Sequence, residues 1–235
     1  MFVTARVFSL SHQTPRENGI KAAKEALSLG RAIVIPTDTS YAIAVRAMDE
    51  KAVNLLWKIK NQTPKTPLTI FVSNIGLLHK FCAGITDEVK AKFLNFWPGS
   101  LTIINKGLNN LLWNKGIIPN VVSVRMPLHP VVSEILSEEE IVATTSPNKV
   151  GEPLATTIQE IKAQFGNDIS VYLDAGVLKP NSLSSILDLT TELPVLVREG
   201  SVSMDEISKV YPNVVKEIEE LAGNKEQESS NQGGN

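Results

Sequence analysis

Ala32-Ile33-Val34-Ile35-Pro36-Thr37-Asp38-Thr39-Ser40-Tyr41-Ala42-Ile43-Ala44-Val45 is the stretch on which the reading of this chain turns. Two apolar pieces flank Pro36 to Tyr41, six residues that carry four hydroxyls and one carboxylate. Ala32 to Ile35 reads as a buried strand, since a continuous apolar run leaves no face for water. Polar groups at the end of such a strand need partners. Either the segment is a self-satisfied turn, with Pro36 ending the strand and Asp38 or Ser40 capping the next element, or a ligand supplies the partners.

Working outward, strand-like and helix-like patterns alternate. Met1 to Phe8 alternates like a strand. Pro15 is expected to open a helix to about Leu29, with Ile20, Ala23 and Leu27 on one face and Gly30 ending it. Asp49 can cap a helix to about Lys60, and Thr86 one to about Phe96. Leu68–Val72, Leu101–Ile104, Val121–Val124 and Ile141–Thr145 read as strands, with a short helix over Pro130–Leu136. Thr157-x-x-Glu160 and Ser203-x-x-Glu206 match the capping box, so helices should follow both. Ile169–Leu173, Ser185–Leu189 and Val195–Val197 read as strands, and Pro212 is expected to start a last helix to about Leu221. Gly223 to Asn235 holds no large apolar residue and reads as a disordered tail. The expectation is one α/β domain over residues 1–222 around a mixed sheet.

The composition narrows the function. The 235 residues are 43% hydrophobic and 20% charged, ordinary for a globular chain with a sizeable core. A formal net charge of −2 gives no global field toward nucleic acid or anionic membrane. No apolar run reaches the ~18 residues of a membrane span, and no signal-peptide pattern opens the chain. The single cysteine, Cys82, sits among apolar neighbours, which suits a buried structural thiol in a reducing, cytoplasmic compartment. His12, His79 and His129 lack metal-ligand spacing, and no Walker A, G-x-S-x-G or G-x-G-x-x-G motif occurs.

What remains is a set of hydroxyls, amides and cations at element ends. Lys58, Lys60 and Lys65 lie at and just after the end of the second helix, and Trp97-Pro98-Gly99-Ser100 precedes a strand. Arg125 and Arg198 end strands, Thr145-Ser146-Pro147-Asn148 follows one, and Ser184 begins another. Singly, each is an ordinary turn or surface residue. Together, cations and hydroxyls with few carboxylates at strand ends suit a polyphosphate.

In this order the segments Ile35 to Tyr41, Lys58-Ile59-Lys60 with Lys65-Thr66-Pro67-Leu68, Trp97 to Thr102, Val124 to Pro127, Thr145 to Asn148 with Gly151, Ser184 to Asp188 and Val197 to Gly200 resemble the YrdC-like family of L-threonylcarbamoyladenylate synthases. The resemblance covers about Gly19 to Gly200. It implies a twisted mixed sheet flanked by helices around a large concave cavity. It also implies that ATP, bicarbonate and L-threonine give threonylcarbamoyl-AMP and pyrophosphate, with Mg2+ sharing the triphosphate charge. A downstream threonylcarbamoyl-transferase complex then modifies tRNA. By matching position, Lys60, Ser146 and Asn148 are the implied catalytic residues, and Lys60, Arg125, Ser146, Asn148, Ser184 and Arg198 bind the nucleotide. Thr37, Tyr41 and Thr145 are the implied threonine-binding residues.

Three departures from the family pattern stand out. Its K-x-R pair reads Lys60-Asn61-Gln62 here, so a cation is missing. A lost charge-assisted contact costs about 1.5–3 kcal/mol. Phe71 stands where a His is common, and Tyr41-Ala42 and Ser146-Pro147-Asn148 replace Tyr-Gly and Ser-Ala-Asn. Tyr41-Ala42 and Val197 to Gly200 are similar to the YciO branch. A second reading is therefore a protein that binds double-stranded RNA, tRNA or nucleotide through a patch of Lys58, Lys60, Lys65, Arg125 and Arg198. A third is an ATP-using enzyme of the same fold acting on another amine or carbamoyl donor.

Overall fold

A computed structural model describes residues 4–64, 66–111, 113, 120–136, 140–178 and 183–217. The expected tail and Lys65 lie outside them. The described residues form one mixed sheet of eleven strands. In chain order these are β1 (Arg6–Ser9), β2 (Ile33–Pro36), β3 (Tyr41–Arg46), β4 (Thr69–Phe71), β5 (Leu101–Lys106), β6 (Val121–Arg125), β7 (Val142–Thr145), β8 (Val171–Asp174), β9 (Ser185–Asp188), β10 (Val195–Arg198) and β11 (Val215–Lys216). Their spatial order is β1-β8-β2-β3-β7-β4-β6-β5-β9-β10-β11. The helices are α1 (Gln13–Ser28), α2 (Glu50–Lys60), α3 (Asp87–Phe93), α4 (Pro130–Ile135), α5 (Ile158–Phe165) and α6 (Met204–Val210).

Most helix ends arise from local chemistry. Asp49 accepts from the backbone N–H groups of Lys51 and Ala52 at 2.9 and 3.2 Å, as its place before α2 predicts. Both capping boxes form, at Thr157/Glu160 and Ser203/Glu206. Gly30 closes α1 at φ 67°, and the Gly30 and Arg31 N–H groups donate to Leu27 and Ala26 carbonyls. Asn61 ends α2 the same way at φ 53°, with Gln62 N–H bonded to the Trp57 carbonyl at 2.8 Å. Lys60, the last residue of that helix, lies buried.

Three expectations are corrected, and one segment that the sequence left unassigned, Ala42–Val45, is placed. Helix α1 starts at Gln13, two residues before Pro15, which sits inside its first turn. Helix α3 ends at Phe93 instead of running to Phe96. Ala42–Val45 belongs to a strand, β3, that returns antiparallel along β2. The helix expected from Pro212 does not form over the described residues. Tyr211 ends α6, Val214 is buried in the core, and Val215–Lys216 pairs parallel with β10. The β-branched Val215 favours a sheet edge over a helix.

The sheet is apolar on both faces where helices cover it. Along β2, Ile33 and Ile35 face α1 and α4, while Val34 faces the larger core with α2 and α5, as a two-residue period requires. On the α1/α4 side that cover reaches only as far as Ala42, Val142 and Phe71. Farther along the same face, the register places Thr144 beside Thr69, Thr69 beside Ser123, and Phe71 beside Arg125. The aliphatic face therefore becomes a hydroxyl and arginine face in mid-sheet.

Candidate active site

A cavity of about 250 Å³ occupies that uncovered face. Its wall includes Thr37, Thr39, Ser40 and Tyr41 from the β2–β3 turn, Thr69 and Phe71 from β4, Thr102 from β5 and Arg125 from β6. Thr144, Thr145 and Ser146 line it too, as do Leu183, Ser184, Ile186 and Arg198. The sheet thus brings together seven of the nine residues singled out from the sequence.

Arg198 reaches the cavity through an irregularity. Leu196 pairs with Leu187, which faces the core, so regular alternation would bury residue 198 on that side. A register shift between Leu196 and Arg198 sets Arg198 opposite Ile186, a cavity residue. Its guanidinium Nε and Nη2 donate to the Ser184 carbonyl at 3.0 and 2.8 Å. The Ser184 hydroxyl accepts from Thr102 at 3.0 Å.

Arg125 is only 4% exposed. Nε donates to the Gly99 carbonyl and Nη1 to the Thr39 hydroxyl, both at 2.9 Å, and Nη2 lies 2.7 Å from Asp38 Oδ1. Its guanidinium carbon stands 5.9 Å from the centre of the Phe71 ring. Burial pushes the Arg125 and Arg198 values down, and the nearby Arg125 charge lowers Arg198 further. Two cations kept close beside one carboxylate leave a net positive field on the cavity wall.

Within the turn itself, the self-satisfied reading holds for Thr37. Its hydroxyl donates to the Ser40 carbonyl at 2.7 Å and accepts from the Thr39 and Ser40 N–H groups at 3.1 Å. Tyr41 hydroxyl donates to the Gly176 carbonyl at 2.7 Å and accepts from Ala175 N–H at 2.9 Å. Burial pushes that phenol up to about 12, so it serves as a neutral strut of the wall.

Lys60 and Asn148 stand behind the wall. Lys60 is 2% exposed. Its Nζ donates to the Ser146 carbonyl at 2.8 Å, to the Asn148 carbonyl, and to the Ser146 hydroxyl at 3.3 Å. Burial pushes its value down to about 8. Asn148 Nδ2 donates to the Glu152 carbonyl at 2.6 Å, while Oδ1 is buried without a hydrogen-bond partner. Gln62 Oε1 is likewise buried and unpartnered. Of the residues suggested for an RNA-binding patch, Lys60 and Arg125 are enclosed instead of facing solvent, and Lys65 lies outside the described residues. Cys82 is buried and its thiol is pushed up to about 12, the inert thiol its neighbours predict.

Sequence reasoning missed Asp38 as a contact residue, and with it Thr39, Ser100, Thr69, Thr102 and Thr144. Thr39, Ser100 and Thr102 lie within segments that carry the family resemblance, and Asp38 left a physical trace as well. It is the one acid among four hydroxyls, and a buried arginine needs a counter-ion.

A family profile named Sua5_yciO_yrdC, described as telomere recombination, matches residues 25–200. A Mycobacterium leprae protein provisionally named threonylcarbamoyl-AMP synthase is 34% identical over 204 residues, covering 87% of this chain and 93% of that one. A Pyrococcus abyssi threonylcarbamoyl-AMP synthase is 29% identical over 203 residues, covering 83% of this chain and 58% of its own length. The crystal structure of P. abyssi Sua5 complexed with L-threonine superposes with a TM-score of 0.81 at 25% identity, over 91% of this chain and 63% of that one. The chain thus spans about six tenths of these archaeal proteins and nearly all of the mycobacterial one. With the profile extending across most of the sheet and every strand that lines the cavity, the chain belongs to the Sua5/YciO/YrdC family.

Proposed function

We propose that this protein is an L-threonylcarbamoyladenylate synthase. The observation that carries the reading is the convergence of Arg125 and Arg198 in one hydroxyl-lined cavity, in a fold whose relatives bear that name. The threonine amine and bicarbonate condense, with loss of water, to a carbamate. A carbamate oxygen then forms a bond to the α-phosphorus of ATP as the bond to the β-phosphate oxygen breaks, and pyrophosphate leaves with that electron pair. No protein nucleophile is consumed, so positioning and charge neutralisation carry the catalysis.

Arg125 and Arg198 meet phosphate oxygens, and Ser146 and Ser184 offer hydroxyls beside them. Thr145 and Thr37 line the amino-acid end, with Phe71 as an apolar neighbour. Lys60 acts through the 146–148 loop, whose carbonyls it holds together. Among the described residues no group of three His, Cys, Asp or Glu side chains could hold a metal ion, and Asp38 is already engaged by Arg125 and Ser100. The donor set therefore fits Mg2+ only as an ion carried on the nucleotide's phosphates, where it would neutralise charge. The product is destined for a tRNA-modifying transferase complex.

The test is pyrophosphate release by the purified full chain with ATP, supplying and omitting L-threonine and bicarbonate in turn. Release that requires both supports the proposal. Turnover indifferent to threonine sinks it, and a response to another amine instead would favour the third reading.

A further inference from the structure

Asp38 ties three distant segments to one guanidinium. It projects from the β2–β3 turn with its side chain 15% exposed. Oδ1 lies 2.7 Å from Arg125 Nη2, and Oδ2 accepts the Ser100 hydroxyl at 2.8 Å. Ser100 follows Gly99, whose carbonyl takes Arg125 Nε and whose N–H donates to the Met126 carbonyl at 2.8 Å. The neighbour Thr39 takes Nη1. A closed ring therefore runs Asp38, Arg125, Gly99, Ser100 and back to Asp38.

A guanidinium has five N–H donors. Nε, one N–H of Nη1 and one of Nη2 are committed, to the Gly99 carbonyl, the Thr39 hydroxyl and the Asp38 carboxylate. That leaves one N–H on each of Nη1 and Nη2 for a ligand, on a side chain that lines the cavity. Gly99 and Thr39 fix two corners of the planar group, and Asp38 fixes the third.

We infer that Asp38, braced by Ser100, is a positioning residue that sets the plane of the Arg125 guanidinium for the phosphates of the bound nucleotide. This rests on the synthase reading for the identity of the ligand, though not for the anion chemistry. It differs in sign from the alternative in which Asp38 is merely a counter-ion. A carboxylate beside an arginine weakens that arginine's attraction for anions, so as a simple charge its removal would tighten phosphate binding. As a positioning group, its removal loosens binding because the fork is no longer held.

The experiment measures ATP and inorganic pyrophosphate affinity by calorimetry, together with threonine-dependent pyrophosphate release, on the full chain. The variants are Asp38→Ala, Asp38→Asn, Ser100→Ala, Arg125→Lys and the Asp38→Ala/Arg125→Lys pair. Asp38→Ala is expected to weaken ATP binding about tenfold to a hundredfold, the range for losing a charge-assisted contact. Asp38→Asn, which keeps the shape and guards against a folding defect, loses less, and Ser100→Ala falls in the same direction by a few fold. The double variant binds no worse than Arg125→Lys alone, because Asp38 acts through Arg125. ATP affinity unchanged or improved in both Asp38 variants overturns the inference, as do losses that add in the double variant. A wild type that binds ATP but needs no threonine defeats the functional reading alone, and Asp38 is still judged by affinity. A wild type that binds neither ATP nor pyrophosphate overturns both.

Discussion

Gly200 offers a severe test of how the site is assembled. It follows β10, two residues beyond Arg198, and its N–H donates to the Ser185 hydroxyl at 2.9 Å. A Cβ placed there would stand 2.1 Å from the Leu183 carbonyl oxygen and 2.8 Å from the Ser184 carbonyl carbon. Both neighbours are backbone, so no side chain can swing aside. To reach a tolerable carbon–oxygen separation of about 3.2 Å, the two segments must part by roughly 1 Å. The displaced Ser184 carbonyl is the one that anchors Arg198. Overpacking of this kind costs about 1–3 kcal/mol, or a fall in Tm of roughly 2–12 °C in a domain of this size. We expect Gly200→Ala to lower Tm within that range and also to reduce kcat/KM for ATP at least tenfold, read by calorimetry and pyrophosphate release. Gly84→Ala is the control, because its φ of 68° strains an alanine but nothing lies within 4 Å. It should cost about 1–2 kcal/mol and leave kcat/KM unchanged. A Gly200→Ala protein with wild-type Tm and kinetics would refute the reasoning.

Two further expectations concern charge and capping. The Lys60 ammonium sits at about 8, below its ordinary 10.5, so the folded protein binds fewer protons than the unfolded chain between those values and stability attributable to Lys60 rises with pH across that window. Wild type should therefore gain about 2 kcal/mol relative to Lys60→Met between pH 7 and pH 10, whereas a difference flat with pH in denaturant unfolding would show that the three oxygens around Nζ keep the ammonium at its ordinary value. Asp49→Ala removes the acceptor for two N–H groups of α2 and should cost about 1 kcal/mol in urea unfolding, with unchanged stability arguing that water replaces the cap.

The legible parts of this chain are those decided by neighbours in sequence. Asp49, Thr157 and Ser203 announce their helices because a cap and its N–H partners lie within three residues. Buried strands such as Ile33–Pro36 announce themselves by uninterrupted apolar character. The hidden parts depend on register between segments far apart in the chain. Thr69 and Thr144 are unremarkable threonines until β4 and β7 pair and set them side by side on an uncovered face. Lys60 reads as a phosphate ligand in sequence, yet at the end of α2 its ammonium is spent on the 146–148 carbonyls. Arg198 shows the limit most sharply. Alternation along Val195-Leu196-Val197-Arg198 assigns it to the core side with Leu196, and only the shift in pairing with β9 delivers it to the cavity. The shift thereby sets a second cation near Arg125. A strand end without the irregularity would keep Arg198 on the side of Leu196 and leave the cavity with a single guanidinium. The irregularity is set by pairing with β9 and not by residue type, so a period-two reading of sequence cannot see it.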